Sequence, residues 1–164
     1  MGRILYPPEI VSVEGGVIFL AGPIQGASLW QEDAARIIGA LDDGIIIACP
    51  RRNVFDGGDF RYQSQIDWET HYLRLAGRRG VVLFWLAKEH KHDCDRAYAQ
   101  TSRFELGEWK VRHERDGAKL VLGIEPGFTN ERYIHHRMAQ DCPEVAIHES
   151  LDEACRAAIR LFHS

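Results

Sequence analysis

Short apolar runs recur along the chain: VIFLA (Val17–Ala21), GIIIAC (44–49), GVVLFWL (80–86), KLVLGI (119–124) and VAIH (145–148). Each run is continuous rather than alternating and rich in Val and Ile. That is the pattern of strands buried on both faces of a parallel sheet. Between the runs lie stretches with apolar residues near helical spacing, over 28–41, 64–76, 102–114, 130–139 and 150–162. Strands alternating with helices predict an α/β fold of three layers (αβα). Its five-stranded parallel sheet would be doubly wound in the flavodoxin or Rossmann manner, with right-handed crossovers.

Helix starts carry their own signals. Ser28 with Gln31, Ser102 with Glu105 and Ser150 with Glu153 each fit the S-x-x-E/Q capping box, in which two side chains satisfy free backbone N–H groups. Two loops, 50–62 and 87–101, are longer than a simple connection needs, and such loops are commonly functional or mobile.

Composition narrows the class. A chain of 164 residues, 45% hydrophobic and 27% charged, can bury a core as a single domain over 1–164. The formal charge of -4 argues against a dedicated nucleic-acid polymer binder, although Arg51, Arg52, Arg78 and Arg79 can still make a local anion site. Cys49, Cys94, Cys142 and Cys155 form no CxxC pair and read as free thiols. The opening MGRILYPPEI has no signal-peptide pattern and no run reaches membrane-spanning length, so a cytoplasmic protein without membrane contact is expected. His90, His92, Cys94 and Asp95 cluster, and His135 and His136 follow, yet neither zinc-finger spacing nor HExxH occurs. No metal is expected. No GxGxxG and no Ser/Thr/Gly-rich flavin loop stands out, and no cofactor is expected.

In an open parallel sheet, ligands bind beyond the carboxyl ends of the strands. Three segments converge on that rim: the turn AGPIQGAS (21–28), the helix start QIDWE (65–69) and the helix start SRFELG (102–107). The turn contains Gly22, Pro23 and Gly26, and its free N–H groups can hold an anion or a hydroxyl; taken alone it reads first as a plain strand-to-helix turn. Gln65 and Glu69 share a helix face, whereas Asp67 points nearly opposite. Asp67 also follows Ser64 by three and suits a helix start. Glu69 is the better site acid, or else a solvated helix acid. Glu105 fits a capping box as well as a site, and spacing alone does not choose.

These same residues resemble the nucleoside 2-deoxyribosyltransferase superfamily, in particular its 2-deoxyribosyltransferase-like branch. The matching pieces are VIFLAGP (17–23), CPRR (49–52), QIDWE (65–69), VVLFW (81–85), TSRFELG (101–107) and LVLGIEP (120–126), in the family's order. The resemblance implies that Glu105 is the nucleophile and that Glu69, or else Asp67, orients it or handles protons at the base. Phe19 corresponds to an aromatic, often Tyr, of the first strand. Gly22, Pro23, Gly26, Gln65, Trp68 and Ser102 become candidate substrate contacts. A homo-oligomer is implied because family sites borrow groups from a neighbour, and Asn130 is a candidate for such a group.

The resemblance further implies cleavage or transfer at the N-glycosidic bond of a nucleoside or nucleotide through a glycosyl–Glu105 ester, in the logic of retaining glycosidases. Trp68, Phe19 and Trp85 would stack or wall the base, or simply fill the core. The chain departs from the family in Phe19, which lacks a hydroxyl, in Arg78-Arg79-Gly80 before VVLFW, and in a longer loop before Glu105. The alternatives are an N-glycoside hydrolase acting on nucleoside 5′-monophosphates and a non-catalytic nucleotide sensor.

Overall fold

The computed structural model describes residues 2–52 and 62–164. Most of the 50–62 loop, residues 53–61, lies outside them. The elements run β1 (Ile4–Leu5), β2 (Val17–Ala21), α1 (Trp30–Leu41), β3 (Ile46–Ala48), α2 (Tyr62–Arg79) and β4 (Val81–Leu86). They continue with α3 (Gln100–Asp116), β5 (Leu120–Ile124), α4 (Glu131–Asp141), β6 (Ile147–His148) and α5 (Leu151–Phe162). Among the described residues the sheet is all-parallel and has six strands, in the order β1-β3-β2-β4-β5-β6. The sequence pattern gives five strands. The added one, β1, is a two-residue edge strand whose Ile4 and Leu5 pair with Ile47 and Ala48, too short to register as an apolar run.

The continuous runs follow from helices on both faces. Along β4, Val82, Phe84 and Leu86 enter one apolar cluster with Trp68 and Tyr72 of α2, Leu106 and Trp109 of α3, and Met138 of α4. The intervening Val81, Leu83 and Trp85 enter a second cluster with Trp30 and Ile38 of α1 and Ala154 and Ala158 of α5. A strand covered on both sides has no solvent face to make polar. The winding reverses between β2 and β4, since α1 leaves β2 toward β3 on one face and α2 returns to β4 on the other. In open α/β sheets ligands bind at such a reversal, outside the carboxyl ends of the strands.

One of the three capping boxes forms. Ser150 accepts the Glu153 N–H at 3.3 Å and caps α5. α1 begins at Trp30 with Leu29 as its cap and no side-chain bond, so the Ser28–Gln31 box is absent. Gln31 is instead fully buried, where its amide answers to Pro23 and Arg51. α3 begins at Gln100 behind Ala99, which is left-handed at φ 59, so Ser102 lies inside the first turn and the box with Glu105 is absent too. Helix α2 likewise starts before Ser64, which removes the capping reading of Asp67.

All four cysteines are free; Cys94 is exposed and the others are buried. Burial pushes the thiols of Cys49 and Cys155 up to about 11 and about 12. Among the described residues no helix is long and apolar enough to cross a membrane.

Helix α2 also fastens the N-terminal segment. The Tyr72 hydroxyl accepts the Val11 N–H at 3.0 Å and donates to the Val11 carbonyl at 3.1 Å, and the Trp68 indole N–H donates to the Glu9 carbonyl at 3.1 Å. Replacing Tyr72 by Phe strands both Val11 groups against a buried ring. We expect a loss of roughly 1–3 kcal/mol in urea unfolding and faster amide exchange at Val11; unchanged exchange there would refute the clasp.

Candidate active site

Helices start at the rim where parallel strands end, so residues in the early turns of α2 and α3 reach the same edge. Gln65 and Glu69, one turn apart on α2, are joined: the Gln65 amide donates to Glu69 Oε1 at 2.7 Å and to the Pro50 carbonyl, just past β3, at 3.0 Å. The bond to Pro50 fixes the Gln65 amide, and the second bond fixes Glu69 Oε1. Asp67 is exposed on the other side of α2 and does not join them.

Glu105, one turn into α3, is pushed up to about 8, first by burial, then by the charge of Glu69 and then by that of Glu108. Glu69 is raised as well, by burial, against the lowering effect of its Gln65 bond. The Glu69 charge thus adds to burial in opposing ionisation of Glu105. A pair of this kind is suited to carry one proton between them at neutral pH. Acids perturbed by burial and a neighbouring charge at the rim of a sheet are candidates for a functional site.

The turn after β2 forms the neighbouring wall. Gly22 has φ +152, and a Cβ there would stand 2.2 Å from the Trp85 carbonyl oxygen, so the turn crosses β4 at a distance only glycine permits. Pro23 is buried and its carbonyl accepts the Trp30 indole N–H at 2.9 Å. Gly26, at φ +81, offers its carbonyl to the N–H groups of His90 and Lys91 at 2.7 and 3.0 Å. The loop between β4 and α3 is thus laid against the turn, and Tyr98 closes the loop's ends by donating to the Ala87 carbonyl at 2.7 Å.

Arg51 completes this wall. Its guanidinium donates to Gln31 Oε1 at 3.1 Å, to the Ile24 carbonyl at 3.3 Å and to the Ser28 carbonyl at 3.0 Å. Every one of these acceptors is neutral, and among the described residues no carboxylate lies within ion-pair reach of it. Desolvation lowers its pKa. Sequence reasoning singles out Arg51 only as one of several arginines and reads Gln31 as a cap. The missed signal is that Gln31 shares the 31-34-35-38 face of α1 with Ala34, Ala35 and Ile38, where a polar residue needs a buried partner.

No family model and no curated protein matches this chain. The site therefore rests on its own geometry.

The remaining candidates fall in other places. Phe19 and Trp68 are core aromatics, 1% and 0% exposed, with ring centroids 6.1 Å apart, and Trp85 is buried on the opposite sheet face. Ser102 is buried in the first turn of α3. Asn130 caps α4 in the left-handed region at φ 61 and is exposed; beside it the Thr129 carbonyl accepts the Arg103 guanidinium, which lies 4.5 Å over the Phe128 ring. Two surface hollows, one at Ile124 and α4 and one at the amino ends of β4 and β5, are lined by neither Glu69 nor Glu105. In the His90–Asp95 stretch His92 pairs with Glu89 at 2.9 Å, and among the described residues no three His, Cys, Asp or Glu side chains are grouped to hold a metal ion.

The raised Glu105 has a cost in stability with a definite sign. In the unfolded chain it ionises near 4.5; in the fold it resists until about 8, so the folded state holds an extra proton between those values. Stability is therefore lost as pH rises through that window. Glu105→Gln cannot ionise and escapes the loss. It should exceed the parent at pH 9 by on the order of 2 kcal/mol, the difference vanishing near pH 4.5. Parallel melting curves across pH would contradict the burial of this acid.

Proposed function

We propose that the chain cleaves or exchanges the N-glycosidic bond of a nucleoside or nucleotide through a covalent ester on Glu105. The observation that carries this reading is the meeting of two raised carboxyl groups, Glu105 and Glu69, in the early turns of adjacent helices at the ligand-binding rim of the sheet. Resemblance to the nucleoside 2-deoxyribosyltransferase superfamily at TSRFELG and QIDWE supports it.

The chemistry uses a single shared proton. Glu105, the more strongly raised of the two, holds the shared proton at neutral pH; the reactive form is the tautomer in which that proton has passed to Glu69 and Glu105 is ionised. As the bond from the anomeric carbon to the base nitrogen breaks, its electron pair leaves with the base and Glu69 protonates that base. The carbon gains cationic character, and a Glu105 oxygen bonds to it. Water or a second base then attacks the same carbon and gives its proton to Glu69, and the Glu105 carboxylate departs. Gln65 holds Glu69 in line for both proton transfers.

A second reading, hydrolysis of nucleoside 5′-monophosphates, is favoured by one observation: the half-buried Arg51 charge, bonded among the described residues to neutral oxygens, stands at the turn where a phosphate would need a cation. We further propose that the working form is a homo-oligomer. Phe104, one residue before Glu105, is 78% exposed, and Val111 two turns along α3 is 42% exposed, two apolar side chains on one helix face that a second copy can cover.

Incubation with a panel of nucleosides and 5′-monophosphates, with and without a second base, followed by chromatography, should show free base or exchanged nucleoside. Glu105→Ala should lose turnover by at least about 10³-fold while still melting in one cooperative transition; near-parental activity would end the assignment. The pH profile of kcat/KM should be a bell whose alkaline limb lies near 8, where the pair loses its proton. A rate still climbing above pH 9 would break the shared-proton scheme. Light scattering should report more than one chain per particle, and Phe104→Glu should reduce it to one.

A further inference from the structure

At the rim opposite the acids, the carboxyl ends of α2 and α3 and the amino ends of β4 and β5 enclose a hollow of about 440 Å³. Its size falls within the range of small-molecule sites. Arg74, Arg78, Arg112 and Lys119 line it, with Asp116 as the acid on its wall. Arg112 is paired with Glu108 at 2.8 Å. Arg74, Arg78 and Lys119 have no carboxylate within 4.0 Å among the described residues. The hollow therefore carries more positive charge than its own side chains neutralise.

Helix stability does not account for this charge. Arg78 and Arg79 sit in the last turn of α2, where cations complement the helix dipole. Arg74 lies a turn further in and directly behind Arg78, so the two like charges repel at i, i+4. The floor is built as well. The Trp109 ring lies so close to Gly77 that a Cβ there would be 2.3 Å from it, and the Arg112 guanidinium lies 5.1 Å over the same ring. Glycine at 77 lets the indole seat there and shape the cavity.

We propose that this hollow binds the phosphate group of a small phosphorylated metabolite, at a site separate from Glu69 and Glu105. The two helix carboxyl ends present negative backbone dipoles, so main-chain amides cannot hold the anion. A singly charged, strongly hydrated anion gains little there. Phosphate, with up to two charges and several acceptor oxygens, matches the arginine forks and a lysine point charge. The inference does not depend on the reaction proposed for the opposite rim.

Calorimetric titration of the full chain with sodium pyrophosphate at 0.15 M KCl tests it. The expected result is saturable binding at one site per chain. Arg78→Gln, Arg74→Gln and Lys119→Gln should each weaken it roughly tenfold. All three positions are at the surface, so the variants should fold, which melting curves can check. Arg160→Gln, on the exposed side of α5 across the sheet, should bind as the parent does. Absence of saturable binding would overturn the proposal. So would equal weakening by Arg160→Gln, which would make the effect diffuse charge. Tighter binding of a single-stranded oligonucleotide through the same three residues would replace the small metabolite with a polymer and overturn it too.

Discussion

Strands β2 and β4 lie side by side with apolar side chains on both faces, and everything polar in the molecule has to accommodate that fact. A strand roofed by α1 and α5 below and by α2, α3 and α4 above offers no place along its length for a charge or a water-binding group. Polar chemistry is therefore displaced to the ends of the strands. At the carboxyl ends it gathers Glu69, Glu105, Gln65, Gln31 and Arg51. At the amino ends it gathers the arginines and lysine of the second hollow.

The rim acids show what this arrangement costs. A carboxyl group kept from water destabilises the folded chain once it ionises, and a second acid nearby deepens the effect. Gln65 tempers the strain at Glu69 alone, so the two acids are made unequal by one hydrogen bond.

The sheet and its order of elements were legible because burial on two faces writes an unbroken apolar run, which neither a half-exposed strand nor an amphipathic helix produces. The edge strand Ile4–Leu5 was not, since two residues leave no periodicity to read. Capping boxes misled at Ser28 and Ser102. The pattern S-x-x-E/Q records what two side chains can do locally, whereas Gln31 is drawn into the core by Arg51 and α3 begins two residues earlier behind Ala99. Glu105 thus lost its structural alternative only in three dimensions. The pairing of Gln65 with Glu69 was legible from their four-residue spacing; the reach of Glu69 to Glu105 was not, because it crosses from one helix to the next. The aromatics Phe19 and Trp68 carried the same letters whether they filled the core or lined a pocket, and burial alone separates those cases.

The uneven exposure of the cysteines has a practical use. Cys49, Cys142 and Cys155 are enclosed, whereas Cys94 sits in the open on the segment that His90 and Lys91 bind to Gly26. A thiol-selective fluorophore would therefore mark that segment and leave the interior untouched. The native chain comes equipped with a reporter beside the wall of its rim site, able to register an arriving ligand without any engineered residue.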